Sequence, residues 1–246
     1  MNIAIIFAGG VGKRMKTNGI PKQFLEINNI PIIIHTLNIF EKSEKIDAII
    51  VACVSSHIGE LEKLIKKFDI SKVKKIVEGG KTGQLSIVNA LNAANTVSKN
   101  DNTIVLIHDG VRPIIDENLI NENICNVKKY GSSISCINQK ETTIISKSGV
   151  EVEDITVRSE TFIARAPQSF YLKDILKAQE AAIKNDDCDC IDSCTVMRKY
   201  GEYKNPHMTL CNTDNIKITT PDDYYIAKAI IDMRKNKSVL GVGYNE

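Results

Sequence analysis

A glycine-rich segment follows the first apolar run of the chain and has the residues of a phosphate-binding loop. From Ala8 to Met15 it reads Ala-Gly-Gly-Val-Gly-Lys-Arg-Met. Its three glycines are Gly9, Gly10 and Gly12. Glycines let the backbone turn sharply and bring its N–H groups against a phosphate chain without obstruction by side chains. Arg14 and Lys22 can place positive charge on the same phosphates, so we predict a site for a polyphosphate here.

The spacing of this loop separates it from two common nucleotide-binding motifs. A Walker loop has a longer spacing before Gly-Lys and then requires Ser or Thr, whereas Arg14 follows Lys13 here. The dinucleotide fingerprint is Gly-x-Gly-x-x-Gly, and after Gly10-Val11-Gly12 its last position is Met15 and not a glycine. A plain glycine turn without a ligand stays open as the alternative for this loop taken alone.

A second group of residues that could take part in catalysis or binding follows an apolar run at residues 105–107. It reads His-Asp-Gly-Val-Arg-Pro from His108. Asp109, at the end of a buried strand, is placed to hold Mg²⁺ against phosphate oxygens, and Arg112 is a candidate for a substrate phosphate. The structural alternative is that Asp109 caps a turn and pairs with Arg112. His108 is expected to be a hydrogen-bonded structural residue, because chemistry at phosphate groups depends mainly on positioning and charge stabilisation.

Lys217 is the third candidate, inside the run Asn-Ile-Lys-Ile-Thr-Thr-Pro that starts at Asn215. If this run is strand-like, alternation decides whether Lys217 points inward to a phosphate or outward to water. The sequence leaves both directions open.

Short apolar runs alternate with longer amphipathic ones, and this order determines where the candidates lie. The predicted strands span residues 2–7, 48–53, 74–77, 103–107 and 133–137, and the predicted helices span residues 32–40, 58–68, 85–97, 117–129 and 221–234. Such alternation is typical of a mostly parallel sheet with helices on both sides. Ligands of these sheets bind beyond the carboxyl ends of the strands, which is where the first two motifs lie.

Composition narrows the class of protein. The 246 residues include 32 Lys and Arg against 30 Asp and Glu, a net charge of +2 that does not favour nucleic acid as a partner. The longest apolar runs are far shorter than a membrane span, and no signal sequence precedes the first strand, so a cytoplasmic protein is expected. The seven cysteines are expected to be reduced. Cys188, Cys190 and Cys194 are closely spaced but lack the fourth ligand of a zinc site.

Residues 139–163 interrupt the alternation. Their pattern predicts two strands joined by a turn at Lys147-Ser148-Gly149. A hairpin that leaves a parallel sheet has a bare edge, which a partner subunit is expected to cover. Residues 236–246 are expected to form a loose tail.

Five motifs occur together in the order and spacing of one family. They are Ala-Gly-Gly-x-Gly-x-Arg-Met from Ala8, Pro-Lys-Gln-Phe from Pro21, His-Asp-x-x-Arg-Pro from His108, Pro-Gln-Ser-Phe from Pro167 and Asn-Ile-Lys-Ile-Thr-Thr-Pro from Asn215. The chain resembles the cytidylyltransferases that act on methylerythritol phosphate and on ribitol phosphate, over residues 3 to about 231. The resemblance implies a doubly wound α/β fold of the Rossmann-like nucleotidyltransferase type. It implies one domain over residues 1–246, with residues 139–163 as a β-arm that reaches over the neighbour in a homodimer.

The resemblance also assigns roles on the nucleotide side. The glycine loop would cradle the phosphates of CTP, and Ala8, Gly80 and Ser86 match positions that line the cytidine pocket. Arg14 and Lys22 would neutralise charge on the reacting phosphorus and the departing pyrophosphate. Lys217 would contact the α-phosphate, and Asp109 would bind Mg²⁺ or another divalent cation.

On the acceptor side, Thr143 and Arg158 match positions on the arm that grip the substrate phosphate across the dimer, with Arg112 nearby. Arg158 is thus counted with Arg14, Lys22 and Lys217 among the catalytic candidates. The expected reaction transfers CMP from CTP to a polyol phosphate, either 2-C-methyl-D-erythritol 4-phosphate or D-ribitol 5-phosphate, and releases pyrophosphate.

Three departures from the family pattern bear on the substrate. Gly83 replaces an arginine on the cytidine side, and Ile191 replaces a threonine near the acceptor. Ile145 stands where methylerythritol enzymes commonly have a lysine and ribitol enzymes often have an apolar residue. The alcohol therefore stays open, and with it the pathway, which would make either isoprenoid precursors or surface polymers. Two further alternatives are a sugar-phosphate nucleotidyltransferase that uses another nucleotide and a dimeric CTP-binding protein without turnover.

Overall fold

The structure is a computed structural model that describes residues 1–9, 19–202 and 204–240. The described residues form a seven-stranded central sheet and two short hairpins. In chain order the strands are β1 (Asn2–Ala8), β2 (Glu26–Ile27), β3 (Ile30–Pro31), β4 (Ala48–Cys53), β5 (Val73–Glu78), β6 (Ile104–Asp109), β7 (Ser132–Asn138), β8 (Ile144–Ile145), β9 (Asp154–Ile155), β10 (Phe162–Tyr171) and β11 (Met208–Leu210).

The central sheet has the spatial order β11-β7-β10-β6-β1-β4-β5. β1 pairs in parallel with β4 and β6, β4 with β5, and β7 with β11. Only β10 among the described strands of this sheet is antiparallel, and it lies between β6 and β7. The sheet is therefore mostly parallel, as predicted, and β1 and β6 end side by side with Phe7 opposite Asp109.

Seven described helices cover the two faces of the sheet. They are α1 (Ile32–Lys42), α2 (Ile58–Lys67), α3 (Gly83–Val97), α4 (Glu117–Tyr130), α5 (Leu172–Lys184), α6 (Ser193–Tyr200) and α7 (Pro221–Leu240). Alternate residues of β1 point to opposite faces, as strand geometry requires. Ile5 packs in a core with α3 and α5, and Ile6 packs in a second core with α1 and α4. This doubly wound arrangement confirms the predicted fold class.

Local chemistry sets where the helices begin and end. Asp116 caps α4 by accepting a hydrogen bond from the N–H of Leu119, and Gly131 ends that helix with a positive φ of 81°. Thr82 caps α3 in the same way through the N–H of Leu85. α7 runs through Leu240, so the predicted tail was wrong for residues 236–240. No glycine or proline in residues 222–240 stops the helix.

β10 was not predicted, because its central part does not alternate in hydrophobicity. Its register with β7 shifts between Ala164 and Gln168, where Arg165 and Pro167 interrupt the pattern. Such bulges bend a strand and redirect its side chains. Here the bulge lies beside the carboxyl end of β6.

The predicted hairpin is present as β8 and β9, which pair antiparallel over two residues each. Phe162 and Ile163, the last two residues of the predicted β-arm, already belong to β10. Ile144 and Ile155 face each other on the arm and are 55% and 58% exposed. None of the described helices is long and apolar enough to span a bilayer.

Candidate active site

Asp109 lies at the carboxyl end of β6 and contacts two basic side chains. Its Oδ2 accepts a hydrogen bond from Arg112 Nε at 2.6 Å, and its Oδ1 lies 2.6 Å from Lys217 Nζ. Burial opposes ionisation of this carboxyl. The charges of Arg112 and Lys217 and their hydrogen bonds outweigh that effect and lower the pKa of Asp109 to about 2. The carboxylate of Asp109 therefore stays ionised at neutral pH, and its contacts hold the side chains of Arg112 and Lys217 in place.

Lys217 points inward, which answers the question that its sequence context left open. Its segment is a loop and not a strand. The N–H of Ile218 donates to the carbonyl of Val111 at 3.0 Å and so holds this loop against the one that follows β6. The Lys217 ammonium lies 5.5 Å from the centre of the Phe7 ring, at the end of β1. The lysine thus stands between the ends of the two central strands.

Asn215 connects three segments of the site. Its carbonyl accepts a hydrogen bond from Arg112 Nη1 at 3.0 Å, and its Nδ2 donates to the carbonyl of Ala166 at 2.7 Å. The residue is 1% exposed. A buried amide with these partners holds the bulge of β10, the Lys217 loop and Arg112 in one arrangement.

His108 is a structural residue, as expected. It is fully buried, and its Nε2 lies 3.0 Å from the carbonyl of Arg112, so Nε2 carries the proton that it donates. Burial lowers the pKa of His108 to about 4. The neutral ring packs edge-on against Phe40 and holds the turn that presents Arg112.

The predicted cytidine-side residues meet at the ends of β1 and β5. A side-chain carbon added to Gly9 would lie 2.9 Å from Ser86 Oγ, and one added to Gly79 would lie 3.4 Å from the Cα of Gly9. The Ser86 hydroxyl accepts from the N–H of Gly80 at 3.0 Å and donates to the carbonyl of Thr82 at 2.9 Å. This close backbone approach excludes side chains and leaves a surface of main-chain groups.

Lys22 lies in a short 3₁₀ helix, Lys22–Phe24, that is attached to the end of β1. The attachment is a hydrogen bond of 2.7 Å from Gln23 Nε2 to the carbonyl of Ala8. Three predicted residues lie outside the described part of the chain: Gly10, Gly12 and Arg14. The convergence of Arg14 with Lys22 and Lys217 stays a prediction.

A cavity of about 720 Å³ opens beside the Asp109 cluster. Asp109, Arg112, Lys217 and Phe7 form one side, and the bulge of β10 forms another. Asp109 pairs with Arg112, as the structural alternative predicted. Both residues nevertheless line a cavity that is large enough for a substrate. Arg112 and Lys217 can therefore hold an anion there.

Two buried glutamines support the opposite wall, which the segment from Asp187 to Ser193 forms. Gln84 accepts from the N–H of Cys190 at 2.8 Å and donates to the carbonyl of Asp187 at 3.0 Å. Gln168, in the Pro-Gln-Ser-Phe motif, donates to Asp192 and accepts from the N–H of Cys194, both at 2.9 Å. The polar side chains thus position a loop that has little regular structure of its own.

Gly83 and Ile191, two of the three departures from the family pattern, line this cavity. A side-chain carbon added to Gly83 would meet no atom within 4 Å, so the space of the absent arginine is open. Ile191 is 91% exposed, which places an apolar side chain at the mouth of the cavity.

Thr143 and Arg158 lie on the arm and do not line the cavity of their own chain. Thr143 Oγ1 accepts from Gln139 Nε2 at 2.8 Å, and Arg158 Nη2 donates to Thr142 Oγ1 at 3.0 Å. Within one chain the structure thus brings Asp109, Arg112 and Lys217 together and leaves the arm residues apart.

The carboxylate of Asp109 fits a divalent cation as a single protein ligand. Each of its oxygens already accepts one contact from a cation, and a carboxylate oxygen has a second lone pair. Mg²⁺ in nucleotide-dependent enzymes commonly binds one or two carboxylates and takes its other ligands from phosphates and water. Asp109 matches that donor set.

Sequence reasoning missed several residues of the site. Asn215 and Gln168 lay in motifs that were recognised but received no role. Gln84 and Arg165 belong to none of the five motifs. They reach the cavity only through the fold of the chain, which the sequence pattern does not show.

Comparison with known proteins gives one consistent family. The family described as IspD, 2-C-methyl-D-erythritol 4-phosphate cytidylyltransferase, matches residues 2–233. A ribitol-5-phosphate cytidylyltransferase of Streptococcus agalactiae serotype III (strain NEM316) is 47% identical over 244 residues, which cover 98% of this chain and 100% of the relative. A 2-C-methyl-D-erythritol 4-phosphate cytidylyltransferase of Clostridium novyi (strain NT) is 37% identical, with coverage of 94% and 96%.

The fold is also that of solved relatives. The crystal structure of 4-diphosphocytidyl-2C-methyl-D-erythritol synthase from Anaerococcus prevotii DSM 20548 superposes with a TM-score of 0.80 at 24% identity, over 94% of this chain and 96% of that one. The resemblance that the five motifs carried is thereby confirmed. The chain belongs to the 2-C-methyl-D-erythritol 4-phosphate cytidylyltransferase (IspD) family.

Proposed function

We propose that this protein transfers CMP from CTP to D-ribitol 5-phosphate and releases pyrophosphate. The observation that carries the chemistry is the Asp109–Arg112–Lys217 cluster at the carboxyl end of β6, which faces a cavity of about 720 Å³. The choice of ribitol rests on 47% identity to a ribitol-5-phosphate cytidylyltransferase against 37% to a methylerythritol phosphate enzyme. Ile145, an apolar residue where methylerythritol enzymes commonly have a lysine, supports the same choice.

The reaction is an in-line displacement. A phosphate oxygen of the acceptor attacks the α-phosphorus of CTP, the new P–O bond forms as the bond to the bridging oxygen breaks, and pyrophosphate leaves with that oxygen. The acceptor is a phosphate monoester, whose second pKa of about 6 leaves it largely ionised near neutral pH, so no general base is needed. Catalysis comes from holding two anions together and from stabilising the charge that builds up between them.

Each part of the site has a role in this step. The main-chain surface of Ala8, Gly9, Gly80 and Ser86, with Gly10 and Gly12, holds the cytidine and phosphates of CTP. Arg14, Lys22 and Lys217 stabilise the reacting and departing phosphates. Arg112 binds the acceptor. Asp109 keeps Arg112 and Lys217 in position and supplies the carboxylate ligand of Mg²⁺, which would neutralise phosphate charge when bound.

The protein acts as a homodimer in this proposal. Thr143 and Arg158 are too far along the arm to line their own cavity, and the exposed isoleucines of the arm need a cover. A second copy of the chain satisfies both conditions, if its arm brings these two residues to the acceptor phosphate of the partner. A cytoplasmic location is part of the same proposal.

A coupled pyrophosphate assay with Mg²⁺ tests the function. CTP would be paired in turn with ribitol 5-phosphate, 2-C-methyl-D-erythritol 4-phosphate and glycerol 3-phosphate, and ribitol 5-phosphate would be paired with UTP, GTP and ATP. We expect turnover with CTP and ribitol 5-phosphate, and slower turnover with the shorter acceptors. Faster turnover with methylerythritol phosphate would show that this compound, and not ribitol 5-phosphate, is the acceptor. CTP binding without release of pyrophosphate with any acceptor would overturn the proposal.

A further inference from the structure

Arg165 lies in the cavity wall at the point where β10 departs from regular pairing. It stands within the register shift between Ala164 and Gln168, next to Ala166, whose carbonyl is bound by Asn215. Arg165 lines the same cavity as Asp109, Arg112 and Lys217. The bulge is thus fixed by a buried hydrogen bond and presents an arginine to the site.

The guanidinium of Arg165 lacks the partners that the other cavity cations have. Its Nε is buried and has no hydrogen-bond partner among the described residues. Arg112 binds Asp109 and the carbonyl of Asn215, and Lys217 binds Asp109. Burial, and then the charge of Arg112, lower the pKa of Arg165, and the charge of Asp223 offsets these effects only in part. A half-buried cation beside another cation is unfavourable in the free protein, and an anion in the cavity would relieve that cost.

The sheet order places Arg165 on the acceptor side of the site. β10 pairs with the side of β6 that faces away from β1, whereas the glycine loop follows β1 and Gly80 follows β5. β10 is also the strand to which the arm returns, and Arg165 follows the arm residue Arg158 by seven positions. Its charge interacts with that of Arg112, the acceptor-binding candidate.

We propose that Arg165 binds the phosphate of the acceptor polyol, together with Arg112, and that it contributes to the selection of a phosphorylated acceptor. This inference rests on the proposed function for the identity of the acceptor. A guanidinium presents a planar fork of N–H donors that matches two oxygens of a phosphate, which an ammonium group cannot reproduce. The Nε without a hydrogen-bond partner among the described residues and the place of Arg165 in the cavity wall fit that use.

Arg165→Met and Arg165→Lys test the proposal against a role in packing alone. Methionine keeps most of the apolar stem and removes the charge, and lysine keeps the charge and removes the fork. For Arg165→Met we expect the KM for ribitol 5-phosphate to rise about tenfold to a hundredfold while the KM for CTP stays within about twofold, since one charged hydrogen-bonding group is worth 1.5–3 kcal/mol. Arg165→Lys should lie between. Arg198→Met, an exposed arginine on α6, is the matched control and should leave both constants unchanged.

Calorimetric titrations of ribitol 5-phosphate and of CTP, each in the absence of the other substrate, give a readout that does not involve turnover. A loss of acceptor affinity in Arg165→Met with retained CTP affinity supports the proposal. Unchanged acceptor affinity, or an equal loss for CTP, overturns it. If Arg165→Met does not fold by circular dichroism, a folded Arg165→Lys with wild-type acceptor affinity would overturn it as well. A wild-type protein that binds ribitol 5-phosphate but releases no pyrophosphate would instead contradict the proposed function.

Discussion

Lys217 makes its strongest contact with Asp109, and this contact has a close counterpart at the surface of the same chain. On α7, Lys228 Nζ lies 2.6 Å from Asp232, the same separation as between Lys217 and Asp109. The side chain of Asp109 is 9% exposed, whereas that of Asp232 is 38% exposed. Exposed ion pairs contribute little to stability. Lys228 therefore serves as a surface control for Lys217, which pairs with a buried carboxylate in the site.

We expect Lys217→Ala to lower kcat about a hundredfold or more, as the loss of one oxyanion donor does in other enzymes. The physical reason is that the charge on the α-phosphate is no longer balanced in the transition state. Lys228→Ala should keep wild-type turnover. Both variants should retain the circular dichroism spectrum of the wild type, and near-normal kcat in Lys217→Ala would argue against a phosphate contact.

His108 makes stability depend on pH. Its Nε2 donates to a carbonyl, and its Nδ1 is buried without a hydrogen-bond partner among the described residues, so a second proton has no acceptor. Burial lowers the pKa of His108 from 6.5 to about 4. Between these values the unfolded chain binds a proton that the folded chain does not, so stability falls as the pH drops from 6.5 towards 4.

Urea unfolding between pH 4 and pH 7 measures this dependence. His108 alone contributes up to about 1.4 kcal/mol per pH unit to the slope of the unfolding free energy. His108→Gln removes that part of the slope, although it lowers stability at neutral pH through imperfect packing against Phe40. An unchanged slope in His108→Gln would show that other groups account for the pH dependence.

The sequence identified Asp109, Arg112 and Lys217 because each stands in a motif of polar residues beside an apolar run. It could not give the direction of Lys217, because alternation applies only to a strand and this segment is a loop. Arg165 gave no signal at all. Its position depends on a bulge in β10 and on Asn215, which is 49 residues away in the chain from the Ala166 carbonyl that it binds.

Among the secondary-structure elements, those with clear periodicity were predictable and the others were not. β4 is a fully buried apolar run, β6 is fully buried and apolar up to Ile107, and α2 has a clear apolar stripe. β10 is a ten-residue strand, but a proline and an arginine in its centre hide the alternation, since proline is uncommon inside central strands. No local pattern states that this strand inserts antiparallel between β6 and β7, because long-range pairing sets that place.

The segment that leads into α6 depends on α3 for its position. Gln84, which is 3% exposed, satisfies the N–H of Cys190 and the carbonyl of Asp187. For Gln84→Leu we expect a loss of about 1–3 kcal/mol in the free energy of unfolding, because a buried N–H is left unpaired. Hydrogen exchange of the Cys190 amide should become faster by the same mechanism.

Asn92→Leu is the control on the same helix. Asn92 is exposed, and its change should alter the free energy of unfolding by less than about 0.5 kcal/mol. Equal stability of the two variants, with an unchanged exchange rate at Cys190, would mean that the cavity wall does not need Gln84.

For the whole molecule, the proposed homodimer would let the arm of one subunit complete the site of the other. The arm carries Thr143 and Arg158 away from the cavity of its own chain, so a symmetric dimer can bring each arm to the partner's cavity. Exposed apolar residues on the arm, among them Val152 and Val157 at 58% and 57% exposure, provide surface for that contact. We expect Ile155→Lys to lower the molar mass measured by light scattering towards that of a monomer.

Mixed dimers test directly whether the sites are shared. Lys217→Ala damages the cavity, and Arg158→Ala damages the arm, so each variant alone should be nearly inactive. If the arm serves the partner, a heterodimer of the two variants contains one intact site and one site with both defects, and it should regain about half of the wild-type turnover per dimer. Co-expression with two different affinity tags would isolate that heterodimer. If the arm serves its own chain, every site carries one defect and no activity returns, and the control dimer of Lys217→Ala with the double variant should stay inactive in either case.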